Sequence, residues 1–155
     1  MNANQLRELR ALRVLREQRA TRELAAQQQL CREAESERDA ARQRLFEHRQ
    51  ALAGEAEALY GKFSEGLSVK AWQNAQEHLH SLEQDRHALQ ADLGDIEQGL
   101  QLQQQQRDAL SQQRLRRQQQ ADQCQDLLDR HLQDQRRAVE LRDDELPHAA
   151  LGAPR

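Results

Sequence analysis

Apolar residues return every seven positions along most of this 155-residue chain. The first such stretch, residues 6–60, contains no proline, and its first glycine is Gly54. Side chains at this spacing lie along one seam of an α-helix. The sequence therefore predicts a first helix over about residues 4–60. Arg38 is the polar exception in a frame that otherwise reads Leu24, Cys31, Leu45, Leu52 and Leu59.

A second seam follows, and it predicts a helix over about residues 69–145. This seam is strong from Trp72 to Leu100, poor from Gln103 to Arg117, and partly restored from Ala121 to Leu132. Its first frame is Trp72, Leu79, Arg86, Leu93, Leu100, Arg107, Arg114, Ala121 and Leu128. Its companion frame is Ala75, Leu82, Leu89, Ile96, Gln103, Leu110, Arg117, Cys124, His131 and Ala138.

Glycines separate the two seams and predict a turn over about residues 61–68. Gly61 is expected to end the first helix, and Ser68 is expected to cap the second. The predicted fold class is all-α, a long antiparallel two-helix coiled-coil hairpin over residues 1–146. Pro147 and the residues after it predict a disordered C-terminal tail over 147–155.

A turn centred near Glu65 also predicts the register between the two helices. Leu59 would lie beside Trp72, and Cys31 would lie near Leu100. Cys124 would face the region of Arg7, so the two thiols would be many helical turns apart and no internal disulfide is expected. The predicted hairpin is a thin rod with both termini at one end.

The composition supports a narrow seam rather than a rounded core. Charged residues make up 32% of the chain and aromatic residues 3%, and the mean hydropathy is -1.07. For so polar a chain, disorder of the isolated protein is the alternative. No apolar run approaches the roughly 20 residues of a membrane span. The first residues lack the apolar segment of a signal peptide, so we expect a cytosolic protein without membrane insertion.

The sequence offers little for catalysis or for metal binding. His78, His80 and His87 are two and seven residues apart, whereas a helical zinc site would use neighbours three or four apart. No glycine-rich phosphate loop is present, and a two-helix rod has no pocket in which to align catalytic groups. We therefore expect a non-enzymatic protein with no metal and no cofactor.

Arginines recur every third residue near the N-terminus, at Arg7, Arg10, Arg13, Arg16, Arg19 and Arg22. A step of three falls about 60° short of a full turn, so this stripe winds around the helix as a girdle. The segment contains no aromatic residue and the chain has a net charge of -3, which disfavours a nucleic-acid-binding arm. A ring or groove lined with carboxylates is a better partner for the girdle than a nucleic acid is.

One segment carries a more specific signal. It starts at Gly66-Leu67-Ser68 and continues with Trp72, Asn74, Gln76, Leu79, Leu82 and Glu83. This segment resembles the start of the second helix in the FliJ/YscO family, the small stalk proteins of flagellar and virulence-type type III secretion systems. The family pattern there, G-[IL]-[ST]-x-x-x-W-x-N-x-Q followed by apolar positions and L-E, is met without gaps.

The resemblance implies a non-enzymatic stalk in a bacterial type III secretion apparatus, at its cytoplasmic face. Family members form a long two-helix coiled coil whose terminal end enters the hexameric export ATPase. They also contact the cytoplasmic domain of the export gate and can bind secretion chaperones. A generic coiled-coil scaffold would explain the heptads but not the match from Trp72 to Glu83.

The resemblance also implies two contact sets. Carried over by the motif, the gate contact falls on His78, Leu82, Asp85 and Leu89. His78 stands where the flagellar member has an aromatic residue and Asp85 where it has a small apolar one, which slightly favours a virulence-type system. For the ATPase contact, the resemblance implies only that the terminal end enters the ATPase. Because the arginine girdle lies at that end, we hypothesise that Arg7, Arg10, Arg13, Arg16 and Arg19 help to seat the rod there.

Overall fold

A computed structural model describes the backbone of residues 2–151 and the side chains of residues 2–145. Two α-helices account for nearly all of it: α1, Ala3–Glu65, and α2, Val69–Leu151. They pack against each other as a helical hairpin, and the described residues contain no strand. The predicted fold class is confirmed. Residues 152–155 of the predicted tail lie outside the described residues, and α2 continues to Leu151.

The turn is shorter than the sequence predicted, and it depends on a different glycine. Gly61 lies inside α1, so its expected role at the helix end was wrong. Gly66 follows Glu65 with a φ of 94°, and its N–H donates to the carbonyl oxygen of Phe63 at 3.2 Å. A left-handed residue after the last helical turn is the usual place for glycine, because any Cβ would be strained there.

One side-chain contact and one favourable charge support the continuation of α1 past Gly61. Phe63 packs on Trp72 of α2, with ring centroids 5.1 Å apart. Lys62 places a positive charge in the last turn of α1, where it interacts favourably with the helix dipole. The predicted cap of α2 is confirmed, because Ser68 Oγ accepts a hydrogen bond from the N–H of Ala71 at 3.2 Å.

The hairpin divides into two compact units. The turn unit comprises residues 26–107, and the terminal unit comprises residues 1–25 with 108–155. Buried apolar residues in the turn unit follow the predicted frames. Ala41, Leu45 and Leu93 form its core cluster, with Leu89 and Ile96 packed against them.

A buried glutamine pair interrupts the apolar seam of the turn unit. Gln27 is only 7% exposed. Its Nε2 donates to the backbone carbonyl oxygen of Gln103 at 3.0 Å and to the side-chain Oε1 of Gln103 at 2.5 Å. These bonds satisfy the buried amide across the two helices. They also place residues 27 and 103 opposite each other, which agrees with the predicted neighbourhood of Cys31 and Leu100.

Residues of the companion heptad frame of α1 also contact α2. In the sequence, Ala20, Ala34, Ala41 and Ala56 fall near this companion position. The full frame also contains residues whose atoms contact α2: Leu6, Arg13, Gln27 and His48. In the turn unit, His48 Nε2 lies 2.7 Å from the carbonyl oxygen of Leu82.

The buried seam of the terminal unit combines small residues with leucines. Cys124 is fully buried, and its Sγ lies 3.8 Å from the carbonyl oxygen of Leu6, close to the position that the register predicted. Both thiols of the chain are free and buried. The remaining buried apolar residues of the unit are Ala20, Leu24, Ala121 and Leu128. Within the described residues, neither helix has a stretch long and apolar enough to cross a lipid bilayer.

Candidate partner-binding surfaces

The structure separates the five predicted ATPase-contact arginines into two groups. Arg7, Arg10, Arg16 and Arg19 are exposed, whereas Arg13 is half-buried. Arg13 Nη1 donates to the carbonyl oxygen of Gln120 at 3.0 Å, which ties α1 to α2. Arg13 is engaged in this way because it occupies the seam frame that also contains Leu6 and Ala20. Four of the five predicted contact arginines therefore present exposed guanidinium groups.

Arg16 and Arg19 line an open cleft of about 390 Å³ together with a residue that the sequence did not assign to a partner, Arg117 of α2. Glu23 and Gln113 complete its polar lining. Arg117 Nη1 is 3.4 Å from Gln120 Oε1, a long hydrogen bond. Among the described residues, none of the three arginines has a carboxylate partner.

Unpaired guanidinium groups are strong ligands for carboxylates. The planar donor fork of Arg binds both oxygens of a carboxylate and loses less water than an ammonium group does. The α1 segment 13–23 and the α2 segment 109–120, which face each other here, contain seven arginines against two glutamates. This surface favours binding of an acidic partner.

Arg116 and Arg117 were missed because the sequence showed them only as a polar interruption of the second seam. A second open cleft, lined by Gln112, Gln113, Arg116 and Gln120, shares Gln113 and Arg117 with the first. The predicted register could have identified Arg117, because it places residue 117 near Arg13 and Arg16 of α1.

The predicted gate-contact residues are divided in the same way. His78 and Asp85 are exposed, but Leu82 and Leu89 are half-buried. Leu89 packs against the core cluster of the turn unit, and the carbonyl oxygen of Leu82 contacts His48. His78 Nε2 also lies 3.6 Å from Glu55 of α1. Of this set, only His78 and Asp85 are fully exposed to solvent.

Glu83 and Arg86 form a fixed charge pair within the same part of α2. Glu83 Oε1 accepts hydrogen bonds from Arg86 Nε at 3.0 Å and Nη2 at 2.6 Å. These bonds lower the pKa of Glu83 below its ordinary value of 4.5, with smaller contributions from the charges of Arg86, His87 and His48. The carboxylate is therefore ionised at neutral pH and held in place.

The residues of the family-like segment have two kinds of role in the structure. Gly66, Ser68 and Trp72 build the turn, as described above. Asn74 and Gln76 are exposed, and no hydrogen bond to either is found among the described residues. Asn74 lies four residues before His78 and eleven before Asp85, so the three side chains share one face of α2.

No group of three or more His, Cys, Asp or Glu side chains that could hold a metal occurs among the described residues. Comparison of the chain with protein-family models, curated proteins and solved structures gives no match. The functional assignment therefore depends on the residues and the geometry described above.

Proposed function

We propose that this chain is a non-enzymatic stalk component of a bacterial type III protein secretion apparatus. In this proposal the terminal unit enters the hexameric export ATPase, and the start of α2 contacts the cytoplasmic domain of the export gate. The stalk acts at the cytoplasmic face of the apparatus and also binds secretion chaperones. The observation that carries the proposal is the position of the family-like segment, because Gly66 to Glu83 opens the second helix of a long two-helix hairpin.

The exposed members of that segment support a partner contact. The fold accounts for Gly66, Ser68 and Trp72 through the turn, the cap and the ring packing. It does not account for Asn74, which shares a face with His78 and Asp85. A polar face that the hairpin does not use for its own stability is available for the proposed gate contact.

The ATPase contact is supported by the unpaired arginines. Arg7 and Arg10 are exposed, and Arg16, Arg19 and Arg117 line the open cleft. In the proposal these guanidinium groups bind carboxylates of the ATPase ring. Charged contacts of this kind raise the association rate and depend on ionic strength.

The ATPase contact is tested with the triple variant Arg16→Glu, Arg19→Glu and Arg117→Glu. Binding to the export ATPase encoded in the same genome should weaken by about tenfold or more, since leaving charge pairs broken at an interface costs above about 1.4 kcal/mol. ATPase stimulation should fall in parallel. The matched control is Arg44→Glu, Arg130→Glu and Arg137→Glu, which makes the same charge change at exposed positions outside the cleft. Equal behaviour of the two triples would remove the cleft from the proposal.

The gate contact needs a separate variant, Asn74→Ala with His78→Ala and Asp85→Ala. Its binding to the cytoplasmic domain of the export gate should drop, and its helical circular dichroism should stay unchanged because all three side chains are exposed. The matched control is Gln73→Ala with Glu77→Ala and His80→Ala. It removes the same three kinds of group, an amide, a carboxylate and an imidazole, from another face of α2. Retained gate binding by the first variant would contradict the proposed face.

Binding measurements also distinguish two other functions. A generic coiled-coil scaffold would bind neither the ATPase nor the gate domain. A nucleic-acid-binding arm would use the same arginine cleft, and its binding to RNA or DNA would fall steeply as salt rises. No aromatic side chain occurs before Phe46 to stack on bases, so we favour the stalk.

A further inference from the structure

Two contacts show which positions of α1 and α2 share a side of the turn unit. Arg42 pairs with Glu97 at 3.5 Å, and Arg49 donates to Gln90 at 2.6 Å. All four residues come directly after a seam residue of their own helix. Because antiparallel helices carry equivalent heptad positions on one side of their seam, residues directly before a seam residue share the opposite side.

Four carboxylates of the turn unit occupy that opposite side. Each comes directly before a seam residue, and all four are exposed: Glu33, Glu37, Asp92 and Asp95. The segments 33–37 and 92–95 contain five carboxylates and no lysine or arginine. Among the described residues, none of the four is part of an ion pair.

The neighbouring arginines leave this charge largely uncompensated. Arg38 pairs with Asp39 at 3.1 Å, and Arg42 is paired as described above. Arg44 comes directly before a seam residue as well, but it lies two helical turns, about 10 Å, beyond Glu37. Four carboxylates and one distant arginine give this side a net negative charge.

Two exposed leucines lie on the same side. Leu30 is 46% exposed and Leu102 is 65% exposed, and each comes directly before a seam residue. The bonds between Gln27 and Gln103 place these leucines at nearly the same level of the hairpin. We call the two leucines and the four carboxylates the acidic face. It combines exposed apolar side chains with charge, as the centre and rim of a protein interface do.

The arginine cleft of the terminal unit has the complementary composition. Arg16, Arg19 and Arg117 line it without a carboxylate partner among the described residues, and Glu23 is the one acidic residue of its lining. Leu12, which is 45% exposed, lies one turn before Arg16 on the same face of α1. The chain therefore carries a basic surface with an exposed leucine and an acidic surface with exposed leucines.

We propose that the arginine cleft of one copy of this chain binds the acidic face of a second copy. In this contact Glu37, Asp92 and Asp95 bind the guanidinium groups of the cleft, and Leu30 packs against Leu12. Opposite charges bring the copies together and fix the register, and the leucines exclude water from the contact.

The contact has to form between copies. Fourteen residues of continuous α1, about 21 Å, separate Arg19 from Glu33, so these side chains do not meet within one copy. The proposal does not rest on the stalk function. If the stalk function also holds, a second copy and the ATPase ring compete for the same arginines.

Sedimentation equilibrium of the purified full chain tests the contact. At about 30 mM salt the mean mass should reach two chains or more, and at about 500 mM salt it should fall to one, because salt screens charges at surfaces. Reversal of either surface should raise the dissociation constant about tenfold or more. The cleft is reversed by Arg16→Glu, Arg19→Glu and Arg117→Glu, and the acidic face by Glu37→Arg, Asp92→Arg and Asp95→Arg.

An equimolar mixture of the two reversed chains provides the decisive comparison. Association should return in the mixture, because each reversed surface then meets a partner of opposite charge. Matched controls make the same charge changes at exposed positions outside both surfaces and should change the dissociation constant by less than about twofold. They are Arg130→Glu with Arg137→Glu and Arg142→Glu, and Glu57→Arg with Glu65→Arg and Glu77→Arg.

A variant without charge reversal tests the apolar part of the contact. Leu30→Gln should weaken association, whereas Phe46→Gln should not, because Phe46 comes directly after a seam residue and lies on the other side of the turn unit. A chain that stays monomeric at low salt would overturn the proposal. So would a mixture of the reversed chains that fails to associate, or association that survives both reversals and high salt.

Discussion

The turn unit and the terminal unit use their charged side chains differently. In the turn unit, charged groups join the two helices. Arg42 Nη2 lies 3.5 Å from Glu97 Oε1, and Arg49 Nη2 donates to Gln90 Oε1 at 2.6 Å. In the terminal unit, Arg16, Arg19 and Arg117 line an open cleft without a carboxylate partner among the described residues. Arg42 and Arg49 therefore link the two helices of the turn unit, whereas the three arginines of the cleft form no ion pair between helices.

Buried polar groups show the same contrast. The amide of Gln27 in the turn unit is satisfied by Gln103. In the terminal unit, Gln125 Oε1 and His131 Nε2 are buried without a hydrogen-bond partner among the described residues. An unsatisfied buried polar atom costs free energy, a cost that the paired amide of Gln27 does not carry.

The largest expected effect is loss of the core of the turn unit. Leu93→Ala should lower the free energy of unfolding by about 3 kcal/mol, because it removes a buried side chain and leaves a cavity beside Leu45. Urea unfolding followed by circular dichroism measures this change. Leu102→Ala, at a side chain that is 65% exposed, should cost less than about 0.5 kcal/mol. Similar costs for the two variants would show that this unit has no specific core.

The glutamine pair should have the next largest effect. Gln27→Ala leaves the amide of Gln103 without its partner and should cost about 1–3 kcal/mol. Replacement of both partners, Gln27→Leu with Gln103→Leu, should recover most of that loss because an apolar pair suits the seam. Thermal unfolding of the single and double variants provides the comparison. A double variant that is no more stable than the single one would contradict this account of the pair.

Charge reversal in the terminal unit should scarcely change stability. Arg16→Glu with Arg19→Glu and Arg117→Glu removes no ion pair and relieves like-charge repulsion, so the free energy of unfolding should change by less than about 0.5 kcal/mol. The same variant is expected to lose ATPase binding, which separates the role in binding from a role in folding. A loss of stability above about 1 kcal/mol would show that these arginines support the hairpin instead.

The smallest expected effect is the pH dependence that Glu83 contributes. Arg86 lowers the pKa of Glu83 in the folded chain, so its contribution is complete above the ordinary value of 4.5 and is lost as the pH falls through the lowered value. The difference in free energy of unfolding between the wild type and Glu83→Gln, measured as a function of pH, should therefore decline only below pH 4.5. In an Arg86→Ala background that decline should disappear, and its persistence would point to another cause.

Much of the fold could be predicted from spacing alone. The heptad frames identified Leu24, Cys31, Leu45, Leu93 and Leu100, all of which are buried. A seven-residue repeat determines which side of a helix is apolar, whatever the helix packs against. The end of α1 could not be predicted in the same way, because Gly61 and Gly66 look alike in sequence. The contact of Phe63 with Trp72 favours the longer helix.

The candidate surfaces were predicted less completely than the fold. Arg16 and Arg19 were found from their spacing, but Arg117 joined them only when the second helix was placed beside the first. Leu82 and Leu89 were assigned to a partner, and the structure shows them half-buried in the hairpin. Sequence spacing shows which residues share a face, but it does not show how much of that face the neighbouring helix covers.

The linear sequence was sufficient to predict the two long helices and the cap at Ser68, because these depend on interactions within a few helical turns. It also showed the excess of arginine near the N-terminus directly. Packing of the helices determined which polar groups stay available. It engaged Arg13, Gln27 and His48 across the seam. It also brought Arg117 to Arg16 and left Tyr60, Phe63 and Val69 exposed at the turn. Those outcomes depend on contacts between residues far apart in the chain, which local spacing does not encode.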